Sequence, residues 1–324
     1  MTLPCSICGN VAGNSTYTVA EMMYGSGNSF EYFECAQCKC LQIAAVPDEM
    51  SKYYPPTYYS FCPAVRHRNF IKRIGLRALC RYAVARSPLQ PLLRVLIARR
   101  YSNLYLIGVC RLQSNSRILD VGSGSGGLVT VLREGGFRNV FGLDPYLSQD
   151  VRAPDGQILV FSHALEEHHG NYDLIMFHHS FEHVSDPLQT LLSVQHHLRP
   201  KGQCLIRMPT VSSWAWRHYR ENWCQLDPPR HTYLHSIDSI RILSARAHLR
   251  LERVIYDSTE FQFWGSERYT RGAPLCRPGD SSALPTECVP SQLRRYRKQA
   301  RRLNAMHDGD QAAFYLVPDL HETR

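Results

Sequence analysis

Four of the twelve cysteines stand in two Cys-x-x-Cys pairs, Cys5-Ser-Ile-Cys8 and Cys35-Ala-Gln-Cys38, with residues 9–34, 26 in all, between them. Each such turn places two sulfurs on one side of an ion while its amides offset thiolate charge, and four thiolates close a tetrahedral shell. The spacing predicts a structural zinc ion on Cys5, Cys8, Cys35 and Cys38. A redox pair and inert core cysteines are the competing readings, and Cys40 is a substitute for Cys38 at poorer spacing. Residues 1–60 are otherwise rich in Cys, Tyr and Gly and poor in helical periodicity. A zinc-ribbon-like module with so little apolar mass needs its ion to fold.

A second run, Asp120-Val-Gly122-Ser123-Gly124-Ser-Gly126-Gly127, follows a short apolar stretch and opens a helical one. Side chains there would block close approach of a ligand to backbone amides and the helix N-terminus. Gly122, Gly124 and Gly127 satisfy a dinucleotide pattern, whereas Gly122, Gly124 and Gly126 after an acid satisfy that of S-adenosylmethionine enzymes. Asp144-Pro145 closes the next apolar run, and an acid at that distance can accept the ribose hydroxyls of either ligand. Asp120 favours the second reading, because a carboxylate suits the cationic amino group of a methionine moiety and repels a pyrophosphate.

Further along stand His178-His179-Ser180-Phe181-Glu182-His183-Val184-Ser-Asp186-Pro187 and then Leu198-Arg-Pro-Lys-Gly202. With these, the chain resembles the class I S-adenosylmethionine-dependent methyltransferases, in which D-x-G-x-G-x-G, an acid after the second strand, E-H-x-x-D-P after the fourth and L-x-P-x-G before the fifth occur in this order. The resemblance implies an α/β, Rossmann-like class I methyltransferase sheet preceded by a zinc-ribbon module and a helical linker. It also implies that Asp120, Gly122, Ser123, Gly124 and Gly126 hold the methionine part and that Asp144 and Pro145 lie at the ribose. Ala164 and Leu165 in the turn Ser162-His163-Ala164-Leu165 would flank the adenine, and the backbone near His178 and His179 would close the pocket. For His163 itself, a bystander role competes evenly.

The segment Trp214-Ala-Trp216 and then Trp223-Cys-Gln-Leu-Asp227-Pro-Pro-Arg230-His231-Thr-Tyr-Leu-His235-Ser236 is unusually aromatic and His-rich for a connection. Long loops at the carboxyl edge of a parallel sheet line the ligand crevice. The layout resembles the sugar methyltransferases that include deoxysugar C-methyltransferases, and similar chains of surface-polysaccharide biosynthesis. There a Glu-His pair precedes the aromatic run; here Arg230-His231 stands in its place, so the histidine is kept and the carboxylate is missing, which weighs against carbon methylation. A neutral imidazole can accept a proton near physiological pH, and His231 is the expected base, a structural or substrate-orienting role being the alternative. His183 with Glu182 reads either as helix-start structure or as catalytic, and His179 is a second candidate base. Arg230 could grip a substrate phosphate bidentately, and Asp227 could orient its neighbours. Trp214, Trp216 and Trp223 could stack on a sugar face or simply pack between loop and sheet.

The elements that must position these groups follow from periodicity. Strands are expected at 117–121, 139–144, 157–161, 173–178, 203–208 and 251–257, and helices beginning near Gly126, Asp186 and Ser236. A basic tail helix at 291–302 precedes a strand at 311–317, which should return to the main sheet as an added strand near residues 203–208 and 251–257. The chain thus divides into a module at 1–60, a basic helical linker at 61–113, the cofactor-binding domain at 114–258 and an extension at 259–324. Helices are expected at 66–86 and 92–112 in the linker. With 324 residues and 44% apolar content, disorder is excluded as the main description.

Of 37 Lys and Arg, 13 lie between Glu49 and Asp120 with no acid among them. That basic segment reads as a solvated linker or as a surface for an anionic membrane or a phosphorylated substrate. No run reaches the length of a spanning helix and the first residues lack the pattern of a secretory leader, so a cytoplasmic location is expected. A small-molecule or glycan acceptor is the favoured partner. An RNA or protein substrate and a non-catalytic cofactor-binding module are the alternatives.

Overall fold

The computed structural model describes residues 3–55, 70–83, 102–276 and 288–319. Near the N-terminus, β1 (Ser15–Ala20), β2 (Ser29–Glu34) and β3 (Leu41–Ile43) form an antiparallel sheet. The main sheet is built from β4 (Arg117–Val121), β5 (Asn139–Leu143), β6 (Val151–Arg152), β7 (Ile158–Phe161), β8 (Tyr172–His178) and β9 (Leu198–Pro209). To these are added β11 (Leu249–Tyr256) and β12 (Gln311–Pro318), giving the order β11-β12-β9-β8-β4-β5-β7-β6. The five central strands β9, β8, β4, β5 and β7 run parallel, so both faces must be covered and the strands are near-continuously apolar. Successive residues feed opposite layers: Leu119, Ile175 and Phe177 pack on one face, and Ile118, Leu174 and Met176 on the other.

The sequence-based strands recur with shifts of a few residues at their ends, and β9 is longer because its first residues pair with β8 through Leu198 opposite Tyr172. Helices Pro187–His197 and Ile237–Arg246 start at side-chain caps, and Gly127–Glu134 opens directly after the left-handed Gly126. Asp186 accepts from Gln189 N ahead of Pro187, and Ser236 and Ser239 cap reciprocally, each satisfying amides that the first turn leaves without partners. The tail helix, Pro290–Ala305, buries Tyr296, Ala300 and Leu303 and turns its arginines outward. The chain then enters β12, which lies antiparallel between β9 and β11 with Gln311 opposite Pro209 and Ala312 opposite Tyr256.

Two helices escape the periodicity argument. Trp214–Tyr219 has only six residues and depends on the Ser213 cap, and Phe261–Thr270 is buried on most sides, so it has no polar stripe to reveal a period. In the linker, Phe70–Ala83 and Ser102–Val109 are helical; residues 66–69, 84–86 and 92–101 of the expected helices lie outside the described residues. The first of these helices packs Cys80 against Gly135, where a Cβ would come within 2.3 Å of the sulfur, and leaves Arg77 exposed. Among the described residues no helix is long and apolar enough to cross a membrane.

The N-terminal sheet takes its fourth strand, β10 (Tyr233–Leu234), from the middle of the chain. It pairs antiparallel with β3, and Ile43 N donates to Thr232 O at 3.0 Å. The edge of the cysteine-bearing sheet is therefore the same backbone that carries His231.

Candidate active site

At the carboxyl end of β4 the chain turns through Gly122, Gly124 and Gly126 with φ of 72°, 52° and 79°, the left-handed region that a side chain resists. Two neighbours add a steric reason: a Cβ on Gly122 would lie 2.4 Å from Ser180 Cβ, and one on Gly126 would lie 2.7 Å from Val160 Cγ2. Asp144 fastens the turn from β5, its Oδ2 accepting from Gly124 N at 2.8 Å and its Oδ1 from Tyr146 N at 3.0 Å. One lone-pair site on each oxygen is left for a ribose hydroxyl. Asp120 is buried, and burial together with the nearby Asp144 carboxylate pushes its pKa up to about 8. It is thus uncomfortable as an anion until a cation reaches it. Ser123 Oγ lies 3.5 Å from Leu143 O, and Pro145 and Tyr146 are exposed at the rim.

Ala164 is half-buried beyond β7 while Leu165 is buried in the core, so of these two only Ala164 presents side-chain surface outward. His163 belongs to a chain of contacts, His163 Nε2 to His168 Nδ1 at 3.0 Å and His168 Nε2 to Tyr172 Oη at 2.6 Å. His178 ends β8 and His179 follows it beside the glycine turn, where Ser180 Oγ donates to Val121 O at 2.6 Å. Both ring nitrogens of His178 are buried without a hydrogen-bond partner, and burial holds its pKa well below the usual imidazole range. His179 adopts φ 54° and faces Glu182 with Nδ1 at 3.4 Å and Arg207 with Nε2 at 3.0 Å.

The surroundings of His231 are assembled from distant segments. Thr232 N and Oγ1 donate to Glu182 O at 2.9 and 3.1 Å, and Tyr32 Oη donates to His231 O at 2.7 Å. The loop is thereby stitched to the turn after β8 on one side and to β2 on the other. His183 Nδ1 donates to Arg230 O at 2.7 Å and His231 Nδ1 to Gln225 O at 2.8 Å. A carbonyl only accepts, so each ring carries its proton on Nδ1 and keeps the Nε2 lone pair. Burial first and His183 second lower the His231 pKa to about 4.

Three sequence-based expectations are corrected here. Arg230, expected as a catalytic or phosphate-gripping residue, is fully buried. Its guanidinium bridges Asp227 and Glu21 (2.7 Å) and donates to Tyr53 O at 3.0 Å, so it has no face for a substrate. Trp216 and Trp223 are buried too, donating through Nε1 to Glu34 at 3.2 Å and Asp310 at 3.1 Å, and they pack rather than offer a stacking surface. Carboxylates are not missing around His231: Glu182 Oε1 and Asp227 Oδ2 each lie 3.9 Å from its Nε2. They approach the lone-pair nitrogen and not Nδ1, so no His-carboxylate dyad forms. Nothing local announces Glu21 as the partner of Arg230, because 209 residues separate them. Glu182 stood in a recognised pair, but its position beside His231 is a product of the fold.

At the opposite side of the N-terminal sheet the two Cys-x-x-Cys turns meet. Cys5 and Cys38 sulfurs are 3.5 Å apart, as are those of Cys8 and Cys35, and all four lie within 4.8 Å of one another. Gln42 Nε2 donates to Cys5 Sγ at 2.8 Å. Cys40 does not substitute for Cys38; its sulfur points to His235 Nδ1 at 3.8 Å.

A parallel sheet whose first strand ends in an acid and a glycine turn, flanked by an acid on the next strand and entered antiparallel by its last strand, defines a class I methyltransferase fold. Residues 94–254, which hold the turn, both acids and the His231 loop, match the sequence model of a family described as a methyltransferase domain. The chain carries an S-adenosylmethionine-dependent methyltransferase domain and is a methyltransferase enzyme. A search of curated proteins finds no match to the sequence. Among solved structures, an O-methyltransferase from a Brevibacillus brevis multienzyme in complex with S-adenosyl-L-homocysteine is similar at 13% identity, covering 82% of this chain and 86% of that one with a TM-score of 0.42. An S-adenosylmethionine-dependent methyltransferase from Mesorhizobium loti is 16% identical over 65% and 96%, TM-score 0.41. One from Archaeoglobus fulgidus is 16% identical over 69% and 92%, TM-score 0.40.

Proposed function

We propose that this enzyme methylates a hydroxyl of a sugar nucleotide, a glycan or a related small molecule, and that His231 receives the proton. The observation that carries the reading is the tautomer of His231. Its Nδ1 proton is tied to Gln225 O at 2.8 Å, which leaves Nε2 as an acceptor in a loop fastened to the turn after β8, next to the glycine turn. The methyl carbon passes from sulfur to the acceptor oxygen in line. The C–S bond breaks with its electron pair remaining on sulfur, the C–O bond forms, and the hydroxyl proton moves to Nε2. Alignment of the two reactants supplies much of the acceleration. An imidazole without a carboxylate on Nδ1 is a base for a hydroxyl rather than for a carbon-bound proton, which favours oxygen as the acceptor atom.

In this reading Asp120, Gly122, Ser123, Gly124 and Gly126 bind the methionine part, Asp144 and Pro145 the ribose and Ala164 the adenine side, and the His178-His179 backbone closes the pocket. Cys5, Cys8, Cys35 and Cys38 hold a structural zinc ion; four thiolates at these separations fit a soft, tetrahedral cation. Replacing His231 by Ala should lower kcat by about a hundredfold to ten-thousandfold while the affinity for S-adenosylmethionine stays within a few-fold. The measurement is release of S-adenosylhomocysteine across a panel of sugar nucleotides and glycans, with calorimetry for the cofactor. Unchanged turnover on the responding acceptor removes His231 from the reaction, and a panel without any responding hydroxyl sinks the substrate class.

A further inference from the structure

We propose that Glu182, His183 and His231 form a site for one divalent transition-metal cation on the acceptor side of the crevice. One ligand atom from each residue lies within 4.8 Å of the others, close enough for small side-chain adjustments to bring all three onto one ion. Glu182 is completely buried, and neither carboxylate oxygen makes a hydrogen bond. His179 Nδ1 lies 3.4 Å from Oε1; burial alone would raise the carboxyl's pKa, but His179, His183 and His231 hold it down to about 2, so it is an anion. A buried carboxylate in that condition is costly unless a cation or donor reaches it.

The imidazoles supply the independent observation. Both hold their Nδ1 proton on a main-chain carbonyl, Arg230 O for His183 and Gln225 O for His231. This is the outer-shell bond that fixes tautomer and ring orientation in metal-ligating histidines. Charge points the same way. Arg230 is shared between Glu21 and Asp227, whereas among the described residues Glu182 is paired with histidines alone, His179 and His231.

Two nitrogens and one oxygen suit zinc, manganese, iron or cobalt better than magnesium or calcium, which favour oxygen shells. Three protein ligands leave positions open for an acceptor oxygen. The consequence for catalysis rests on the reading that this edge is the acceptor side. A bound cation would occupy the His231 Nε2 that otherwise receives the hydroxyl proton; it would supply Lewis-acid stabilisation of the acceptor oxygen, and the proton would then pass to solvent.

The test uses the full-length protein as purified, titrated with Mn2+ and followed by the electron paramagnetic resonance signal of the free ion. Mn2+ is chosen because the soft thiolates of the cysteine cluster discriminate against it. The expected result is one bound ion per chain, electron spin-echo modulation from two coordinated imidazole nitrogens, and affinity lowered at least roughly tenfold in Glu182→Gln and His183→Ala. No uptake, uptake unchanged in both variants, or a bound ion without nitrogen modulation overturns the proposal. The nitrogen signal is read on the unmodified protein, so it decides even where a variant does not fold. Calorimetric binding of S-adenosylmethionine, measured in parallel, separates loss of this site from failure of the methyltransferase reading.

Discussion

The glycine turn and the loop around His231 lie at the same edge of the main sheet and are built in opposite ways. The turn is a single run of eight residues, 120–127, whose backbone angles come from its own glycines and whose fastenings are the neighbouring strand ends, through Leu143, Asp144 and Ser180. The loop around His231 has no such autonomy. Its shape depends on Tyr32 and β3 from the N-terminal sheet, on Glu21 and Tyr53 through Arg230, and on the turn after β8. A site made of one run tolerates change elsewhere, while one made of four segments inherits the stability of each.

The sharpest way to break this comparison is to empty the cysteine cluster. Binding of a structural zinc ion is worth on the order of 10 kcal/mol to a small module, and β10 belongs to the sheet that this module folds. Chelation, or Cys35→Ser, should abolish turnover while S-adenosylmethionine affinity changes only a few-fold. If activity and cofactor binding fall together, or neither falls, the two halves are not separable in this way.

Arg230→Met comes next. It leaves Asp227 and Glu21 buried without their counter-charge, a loss of about 3–5 kcal/mol, to be read as a shift in the denaturant midpoint. Adding Glu21→Gln and Asp227→Asn should recover most of it. A single variant as stable as the parent would mean that the triad does not hold the loop to the N-terminal sheet.

The smallest effect tests the autonomous half. Asp120→Asn removes a charge-assisted contact of about 1.5–3 kcal/mol, roughly ten- to hundredfold in cofactor affinity. The gap should be narrow at pH 6 and widen toward pH 8, because Asp120 in the ligand-free protein ionises only near pH 8, while the ligand's α-amino group loses its own charge above about 8. Its folded pKa is raised from 3.8, so its contribution to stability is complete below that value and lost as the pH rises through about 8. The ligand-free protein should therefore gain relative stability from Asp120→Asn in alkali, measured by thermal unfolding. A pH-independent gap would show that the carboxylate does not meet the ammonium group.

Legibility followed the same division. The strands, the caps at Asp186 and Ser236, the glycine turn and the pairing of the two Cys-x-x-Cys motifs all rest on local spacing, and they read off the chain. The short helix at Trp214–Tyr219 and the all-round buried one at Phe261–Thr270 lack the polar stripe that makes a period visible. Arg230 illustrates the limit: an arginine beside a candidate base reads as a substrate grip, and only its burial against Glu21 and Asp227 shows a structural ion pair.

Residue order alone determined the open-backbone bend, the acid before it and the alternation that makes a parallel sheet, since these depend on torsional freedom and periodicity within a few residues. The tertiary structure decided which imidazole nitrogen stays free, which carboxylates surround His231 and that the cysteine sheet shares a strand with the His231 loop. Those outcomes depend on contacts between residues up to about 200 positions apart, His231 and Tyr32 among them, and such proximity is set by packing, on which short-range spacing has no hold.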